Sequence, residues 1–369
     1  MKIWKYKRLS ECSNFVSERT SNIAIDNYIS TENMIENRGG VKEAAALPDV
    51  KSTSAYKPND ILLSNIRPYF CKIWFADKKG SCSNDVLVVR AKKEVDPKFL
   101  YYVLSDQNFF NWDSMTSKGT KMPRGTPNAI MKYSVPDLPF HTQQKIASIL
   151  SAYDNLIQNY KKQIKALQTA ASELYKEWFV RFRFPGYQTT KFENGIPEGW
   201  KIEKVKNCVN RLPFGQTYKK DELEPEGNVI VIDQSEDEYL GYHNNEPSHK
   251  ASAENPIALF GDHSCKYKLM IKDFSLGENI IPYTSKGVDL YYLYYSVYKI
   301  VQTEEYKRHW NLFVNKKVLI SNNELQKSFR QKVIPIFKQI EILNKQITNL
   351  TQQRDLLLPR LMSGKLEVE

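Results

Sequence analysis

The sequence predicts an α+β protein built from two similar mixed α/β domains, each followed by a long helix. Two observations predict it. The first is a heptad pattern that occurs twice. From Ile146, apolar or near-apolar residues fall at Leu150, Tyr153, Ile157, Tyr160, Ile164, Leu167, Ala171, Leu174 and Trp178, in steps that alternate four and three. From Val333 the pattern returns at Ile336, Ile340, Leu343, Ile347, Leu350, Arg354, Leu357 and Leu361, broken only by Arg354. A period of roughly 3.5 residues sustained this long marks a coiled-coil seam. Arg354 is then either a register device or a side chain that snorkels out near the helix end.

The second observation is a set of echoes in the same order. Trp4-Lys5 with Cys12 matches Trp200-Lys201 with Cys208, and Leu100-Tyr101-Tyr102-Val103 matches Leu290-Tyr291-Tyr292-Leu293. Gln144-Lys145-Ile146 matches Gln331-Lys332-Val333, and Lys162-Gln163-Ile164 matches Lys345-Gln346-Ile347. The offsets fall from 196 through 190 and 187 to 183. An internal duplication follows, with four of the lost residues, roughly one helical turn, inside the second helix.

The elements follow in order. Ile61-Leu62-Leu63, Lys72-Ile73-Trp74-Phe75 and Val86-Leu87-Val88-Val89 read as strands, with Asp77-Lys78-Lys79-Gly80 as a hairpin turn. Phe99 to Leu104 reads as a helix opened by Asp96-Pro97. Ser134-Val135-Pro136-Asp137-Leu138-Pro139 bars helix. The first long helix opens near His141-Thr142, with Thr142 the better cap, and runs to about Phe182 before Pro185-Gly186. The second unit starts near Ile196-Pro197-Glu198-Gly199-Trp200. Val229 to Ile232, Ile257 to Phe260 and Asn279 to Ile281 read as strands, and Leu290 to Ile300 as a helix. The second long helix runs from about Lys327 to Leu358, is interrupted by Pro335, and is kinked or ended by Pro359. Domain boundaries are therefore expected at 1–140, 141–184, 185–327 and 328–369.

Composition bounds the function. The 369 residues carry a net charge of +11, which favours an anionic partner. The charge is uneven. Residues 1–140 hold 21 Lys and Arg against 15 Asp and Glu, whereas residues 186–327 hold 18 against 20. The acids of the second domain gather in Asp221, Glu222, Glu224, Glu226, Asp233, Glu236, Asp237 and Glu238, either a solvated face turned away from an anionic partner or a face for a protein. No apolar run approaches the roughly 18 residues that span a bilayer, so no membrane association is expected. The five cysteines form no Cys-x-x-Cys pair, which suits a cytoplasmic protein with reduced thiols. The histidines His141, His243, His249, His263 and His309 show no metal-ligand spacing, and no metal site is expected.

Catalytic patterns are weak. Gly364-Lys365 lacks the upstream glycine and following Ser/Thr of a phosphate-binding loop. Asp137-Leu138-Pro139-Phe140 matches an amino-methyltransferase signature only loosely, and no Gly-rich cofactor loop accompanies it. Pro48-Asp49 with Asp77-Lys78-Lys79 is an equally loose nuclease pattern. No catalytic residue is assigned.

Several segments together resemble the specificity subunits of type I restriction-modification systems. They are Ile196-Pro197-Glu198-Gly199-Trp200, the helix entry Gln143-Gln144-Lys145-Ile146-Ala147-Ser148-Ile149-Leu150, the helix exit Glu177-Trp178-Phe179-Val180, and the tail from Leu357 to Leu366. Lys118-Gly119-Thr120 with Arg124 and Pro127 is similar to the Gly- and Ser/Thr-rich segment ahead of the helix in that family. Arg308-His309-Trp310-Asn311 departs from it. The resemblance implies two target-recognition domains, each reading half of a bipartite double-stranded DNA site, and two long helices packed antiparallel as a spacer. It implies two methyltransferase subunits bringing S-adenosylmethionine, and restriction motor subunits using ATP and Mg2+. By the same resemblance the specificity subunit itself would hold no cofactor and do no chemistry.

Arg, Lys, Asn and Gln read base edges, while Lys, Ser, Thr and backbone amides hold phosphates. On that chemistry the DNA-binding candidates in the first domain are Asn65, Arg67, Tyr69, Lys118, Thr120, Lys121 and Arg124. In the second they are Lys266, Lys268, Lys307, Arg308, Asn311, Lys316 and Lys317. Each competes with the reading of an ordinary surface loop. Two other accounts of the chain remain open, the recognition part of a fused restriction-methyltransferase and a non-catalytic coiled-coil scaffold.

Overall fold

The computed structural model describes residues 4–224, 226–235, 239–303, 307–366 and 368. It comprises two compact units, Met1–Gln158 with Thr348–Glu369, and Asn159–Ile347. In the first unit, four antiparallel strands lie in the order Ser13–Phe15, Val86–Ala91, Ile61–Ser64, Ile73–Phe75. Alternation along a strand sends neighbours to opposite faces. Ile61 and Leu63 join the core that holds Phe99, Leu100 and Val103, while Leu62 joins Val86, Val88, Tyr56 and Cys82. That second core is closed by a sheet of Arg19–Thr20, Thr53–Tyr56, Gly80–Cys82 and Tyr28–Ile29. Asp77 to Gly80 is thus not a hairpin turn. It carries the chain from one sheet to the other, since Ile73–Phe75 pairs with Ile61–Ser64 and Gly80–Cys82 pairs with Thr53–Tyr56.

Helix α1 (Pro97–Ser105) is capped by Asp96, whose carboxylate accepts from the Phe99 N–H at 2.8 Å, with Pro97 at the first position. Helix α2 (Gln107–Thr116) follows at once, capped by Asp106. A short α3 (Pro127–Ile130) and the strand Ser134–Pro136, paired with Tyr6–Arg8, lead into α4 (Phe140–Tyr175). Pro139 ends the lead-in, and its carbonyl accepts from the Gln143 N–H at 3.1 Å. The helix therefore starts two residues ahead of Thr142. At its far end the chain passes into a π turn, Lys176–Val180. Trp178 and Phe179 in that turn are both buried.

The second unit repeats the scheme. Val209–Arg211, Ile280–Ser285, Ile257–Gly261 and Tyr267–Met270 form an antiparallel sheet in the same order. A three-stranded sheet of Gly241–His243, Val229–Ile232 and Phe274–Leu276 packs on it. Helix α5 (Leu290–Val297) is capped by Asp289. Helix α6 (Trp310–Asn315) and the strand Lys317–Ile320, paired with Lys201–Lys204, lead into α7 (Asn323–Met362). Tyr291 and Tyr292, like Tyr102, are buried.

A buried glutamine fixes the start of each long helix. Gln143 accepts from the Asp96 N–H at 2.9 Å and donates to the Leu138 carbonyl at 2.8 Å. Gln326 accepts from the Asp289 N–H at 2.8 Å and donates to the Ser321 carbonyl at 2.8 Å. These residues, and the starts Phe140 and Asn323, are all 183 apart. The helices thus align without a gap, and the pairing of Gln144 with Gln331 is replaced by Gln143 with Gln326. No turn is lost inside the helix. The Leu100 and Leu290 echo is likewise three residues out of step with the caps, which are 193 apart.

At the offset of 183 the seam gains Phe329, the counterpart of Ile146, and both are fully buried. Every seam residue from Ile146 to Trp178 and from Val333 to Leu361 is buried or half-buried. In the first unit Ile146, Ala147 and Leu150 share a core with Leu358, Leu361 and Met362. In the second, Ala171, Trp178 and Phe179 share one with Phe329, Val333, Phe337 and Ile340. The start of α4 thus meets the end of α7, and the end of α4 the start of α7, an antiparallel pairing. Contrary to expectation, α7 is not interrupted at Pro335, and it runs three residues past Pro359 to Met362. Each proline removes one helical hydrogen bond, at a cost of about 3 kcal/mol, which the flanking Phe329, Val333, Phe337, Leu358 and Leu361 offset by burial. Each compact unit draws on both helices.

Arg354 occupies the seam place of Ala171. It does not snorkel out: Nη1 meets Asp154 at 2.6 Å and Nη2 meets Asp355 at 2.9 Å, and Asp154 also accepts from the Tyr102 hydroxyl at 2.5 Å. Its side chain is 16% exposed and that of Asp154 27%. We expect R354A to lower stability by about 1–3 kcal/mol, between the values for an exposed and a buried pair. Denaturant unfolding with R354A, D154N and the double variant measures it, and additive losses would show that the two residues do not act as a pair.

Candidate nucleic-acid interface

The first unit brings two sequence-distant loops into one surface. The loop after strand Ile61–Ser64 begins with Asn65, whose N–H donates to the Asp85 carbonyl at 2.8 Å. The Gly125 N–H donates to the Asn65 carbonyl at 3.0 Å, and the Arg67 N–H to the Pro123 carbonyl at 2.8 Å. Lys118 and Arg124 close the second loop into a small hairpin through mutual N–H to carbonyl bonds of 2.9 and 2.8 Å. Gly119 turns that hairpin at φ +98, a left-handed conformation natural to glycine. Arg67 adopts a left-handed φ of 51 and lies over the Phe70 ring at 5.9 Å.

This frame holds all seven first-unit candidates together. Arg67, Tyr69, Lys118, Thr120, Lys121 and Arg124 are exposed, and Asn65 is half-buried beneath them. Arg124 pairs with Asp85 at 3.0 Å in a solvent-exposed bridge. Such a bridge is worth little, so the guanidinium is readily given up to a phosphate or a guanine edge. Two exposed methionines, Met115 just ahead of the hairpin and Met122 within it, were not singled out from the sequence.

The second unit builds the same frame from different residues. The Asp262 N–H donates to the Asn279 carbonyl at 2.8 Å, and the His309 N–H to the Asp262 carbonyl at 2.7 Å. Asp262 and Asn65 each follow the equivalent strand, Asn279 and Asp85 each precede one, and His309 and Gly125 lead into α6 and α3. The segment Arg308-His309-Trp310-Asn311 therefore takes the place of the Gly-Thr loop despite its unlike sequence. The Asp262 carboxylate also accepts from the N–H groups of His309 at 3.1 Å and Trp310 at 2.9 Å, capping α6.

The second-unit candidates divide. Lys307, Arg308 and Asn311 are exposed at this frame. Lys266 lies beside it but is committed, its Nζ donating to the carbonyls of Asp233 at 3.2 Å and Ser235 at 2.6 Å. Lys268 sits half-buried along the strand Tyr267–Met270. Lys316 and Lys317 follow the far end of α6, away from Arg308. Of the acidic run, Asp233 meets Lys266 through its backbone carbonyl, while its carboxylate accepts from the N–H and hydroxyl of Ser235. Glu236, Asp237 and Glu238 lie outside the described residues. Among the described residues no cluster of His, Cys, Asp and Glu is placed to hold a metal, and no helix is long and apolar enough to cross a membrane.

Gly125 is required by space. A Cβ there would stand 2.5 Å from Asp113 Oδ1 and 2.9 Å from Asn65 Oδ1. We expect G125A to cost about 1–3 kcal/mol by overpacking and to weaken DNA binding through the first unit alone. Thermal unfolding and binding to duplexes altered in one half-site check it, and a G125A chain with unchanged stability would overturn the steric argument.

Comparison with known proteins agrees with this geometry. Residues 1–169 match the family described as the type I restriction modification DNA specificity domain. The type I restriction enzyme MjaIX specificity subunit of Methanocaldococcus jannaschii is 27% identical over 75% of this chain and 71% of its own length. The MjaVIII specificity subunit of the same organism is 28% identical over 60% of this chain, and that match spans 52% of the relative. The crystal structure of the type I restriction-modification S subunit from M. genitalium superimposes with a TM-score of 0.54 at 16% identity, over 98% of this chain and 96% of that one. Alongside the doubled fold and the doubled loop frame, residues 1–169 carry the type I restriction modification DNA specificity domain, and the chain is similar over three quarters of its length to a type I restriction enzyme specificity subunit.

Proposed function

We propose that each unit reads one half of a bipartite DNA site and that α4 and α7 set the gap between the halves. As a specificity subunit the chain recognises DNA sequence and leaves the chemistry to its partners. The observation that carries the bipartite reading is the loop frame built twice, on the same strand order and with two backbone hydrogen bonds in common. Two like surfaces suit half-sites roughly one or more helical turns of DNA apart, about 34 Å per turn. Arg67, Lys118, Lys121 and Arg124 in the first unit, and Lys307, Arg308 and Asn311 in the second, would meet phosphates and base edges. Two methyltransferase subunits with S-adenosylmethionine would methylate adenine, and motor subunits with ATP and Mg2+ would restrict unmodified DNA.

The test is genome-wide mapping of methylated adenine in cells that hold the methyltransferase subunit with or without this chain. We expect a chain-dependent motif of two short half-sites around a fixed gap. Binding to that duplex should fall steeply with salt, by counterion release. An active, bound methyltransferase that yields no chain-dependent motif would favour the scaffold account. Inserting four residues between Ala170 and Ala171 should lengthen the gap and leave both half-sites unchanged. A folded insert with an unaltered gap would sink the role of the helices as a ruler.

A further inference from the structure

Asp113 lies on α2, directly under the two loops of the first unit, and has no exposed surface. Neither of its carboxyl oxygens meets a donor among the described residues, and the same holds for the buried Asn65 Oδ1. Asp113 Oδ1 and Asn65 Oδ1 converge on one face of Gly125. Asn65 starts one loop and Gly125 ends the other, so these oxygens sit where the loops join.

An ionised carboxylate without donors is a costly buried group. Opposed to a second acceptor it also pushes the loops apart. A neutral carboxylic acid supplies its own O–H and can donate to Asn65 Oδ1, turning repulsion into a bond between the loops. We propose that Asp113 is a positioning residue that locks the two DNA-reading loops of the first unit together, and that it does so as the neutral acid. This rests on the reading of that surface as a DNA interface.

Burial alone pushes the Asp113 carboxyl up to about 7, so the neutral form is accessible near neutral pH. The charged and titratable groups on the elements around it are Asp106 at the cap of α2, Arg38 against Gln107 and the Phe110 ring of that helix, Tyr133 against its Phe109 and Trp112, Arg67, Tyr69 and Asp85 at the first loop, and Lys118, Lys121 and Arg124 on the hairpin; α3 carries none. Arg124 is engaged with Asp85. DNA phosphates arriving over the loops add negative charge, which further favours the neutral acid. Binding through the first unit should therefore take up a proton.

The experiment uses the full chain with its methyltransferase subunits and a fluorescent duplex carrying the motif found by methylation mapping. Affinity is measured at about pH 6 and about pH 8 for wild type, D113N and D113A, on the intact duplex and on duplexes altered in either half-site. Wild-type affinity should be about three- to tenfold higher at the lower pH, the linkage expected when a group near pH 7 is neutralised on binding. D113N offers an amide that pairs with Asn65 at either pH, so it should bind tightly and lose most of this pH dependence. D113A should bind weakly at both pH values and lose discrimination at one half-site while keeping it at the other. A pH response equal in wild type and D113N would overturn the proposal, as would unchanged half-site discrimination in a folded D113A. A wild-type chain with no sequence preference at all would instead overturn the DNA-interface reading on which the proposal rests.

Discussion

Neither globular part closes its own core. In the first unit the sheet and α1 leave an apolar face that is covered by the start of α4 and the end of α7, through Ile146, Leu150, Leu358 and Leu361. In the second the face is covered by Trp178 and Phe179 from the end of α4 and by Phe329, Val333 and Phe337 from the start of α7. Burial of these side chains, each worth about 1.5–3 kcal/mol, ties the fold of each unit to both helices. The spacer and the recognition units are therefore not separable modules. A residue changed on a helix reports on the unit it closes, and the buried glutamines Gln143 and Gln326 fix where each helix leaves its unit.

The interface follows from this constraint. Its frame is made of backbone hydrogen bonds between a strand start, a strand end and a helix lead-in, all on elements held by the core. Backbone bonds do not depend on side-chain identity, so Gly125 and His309 serve the same place, as do Asn65 and Asp262. The exposed side chains above the frame are not needed to hold it. The cost appears only where a side chain enters the frame itself, as at Gly125, where Asp113 and Asn65 leave no room.

Much of this was legible in the sequence. The heptad steps placed both seams, the β-branched runs placed strands such as Ile61–Ser64, Val86–Ala91, Val229–Ile232 and Ile257–Gly261 but none of the sheet of Arg19–Thr20, Thr53–Tyr56, Gly80–Cys82 and Tyr28–Ile29, and Asp-Pro at 96–97 marked the start of α1. The two first-unit loops were legible as candidates but their meeting was not, because it depends on backbone pairing between residues some sixty apart in the chain. Local echoes misplaced the helix repeat: Gln144-Lys145-Ile146 matches Gln331-Lys332-Val333 by letters, yet the heptad steps themselves align at 183 and would have found Phe329. Pro335 and Pro359 were read by propensity, which tertiary burial overrides. Lys266 counted as a surface cation because nothing local shows that its ammonium reaches the carbonyls of Asp233 and Ser235.

Where the two copies differ on the helices, the differences match. At the offset of 183, Asp154 corresponds to Phe337 and Arg354 to Ala171. The first unit thus places an ion pair where the second places two apolar residues of its core. Each pair is consistent within itself, but the members do not interchange. A second copy of α4 set in the place of α7 would bring Ala171 opposite Asp154 and leave a half-buried carboxylate without its guanidinium. A second copy of α7 in the place of α4 would bring Arg354 opposite Phe337. Removing one partner of a buried pair costs more than the pair contributes, so both exchanges are disfavoured. Arg354 breaks the apolar seam and weakens it locally, and in doing so it makes the pairing of α4 with α7 the arrangement in which every seam position is satisfied.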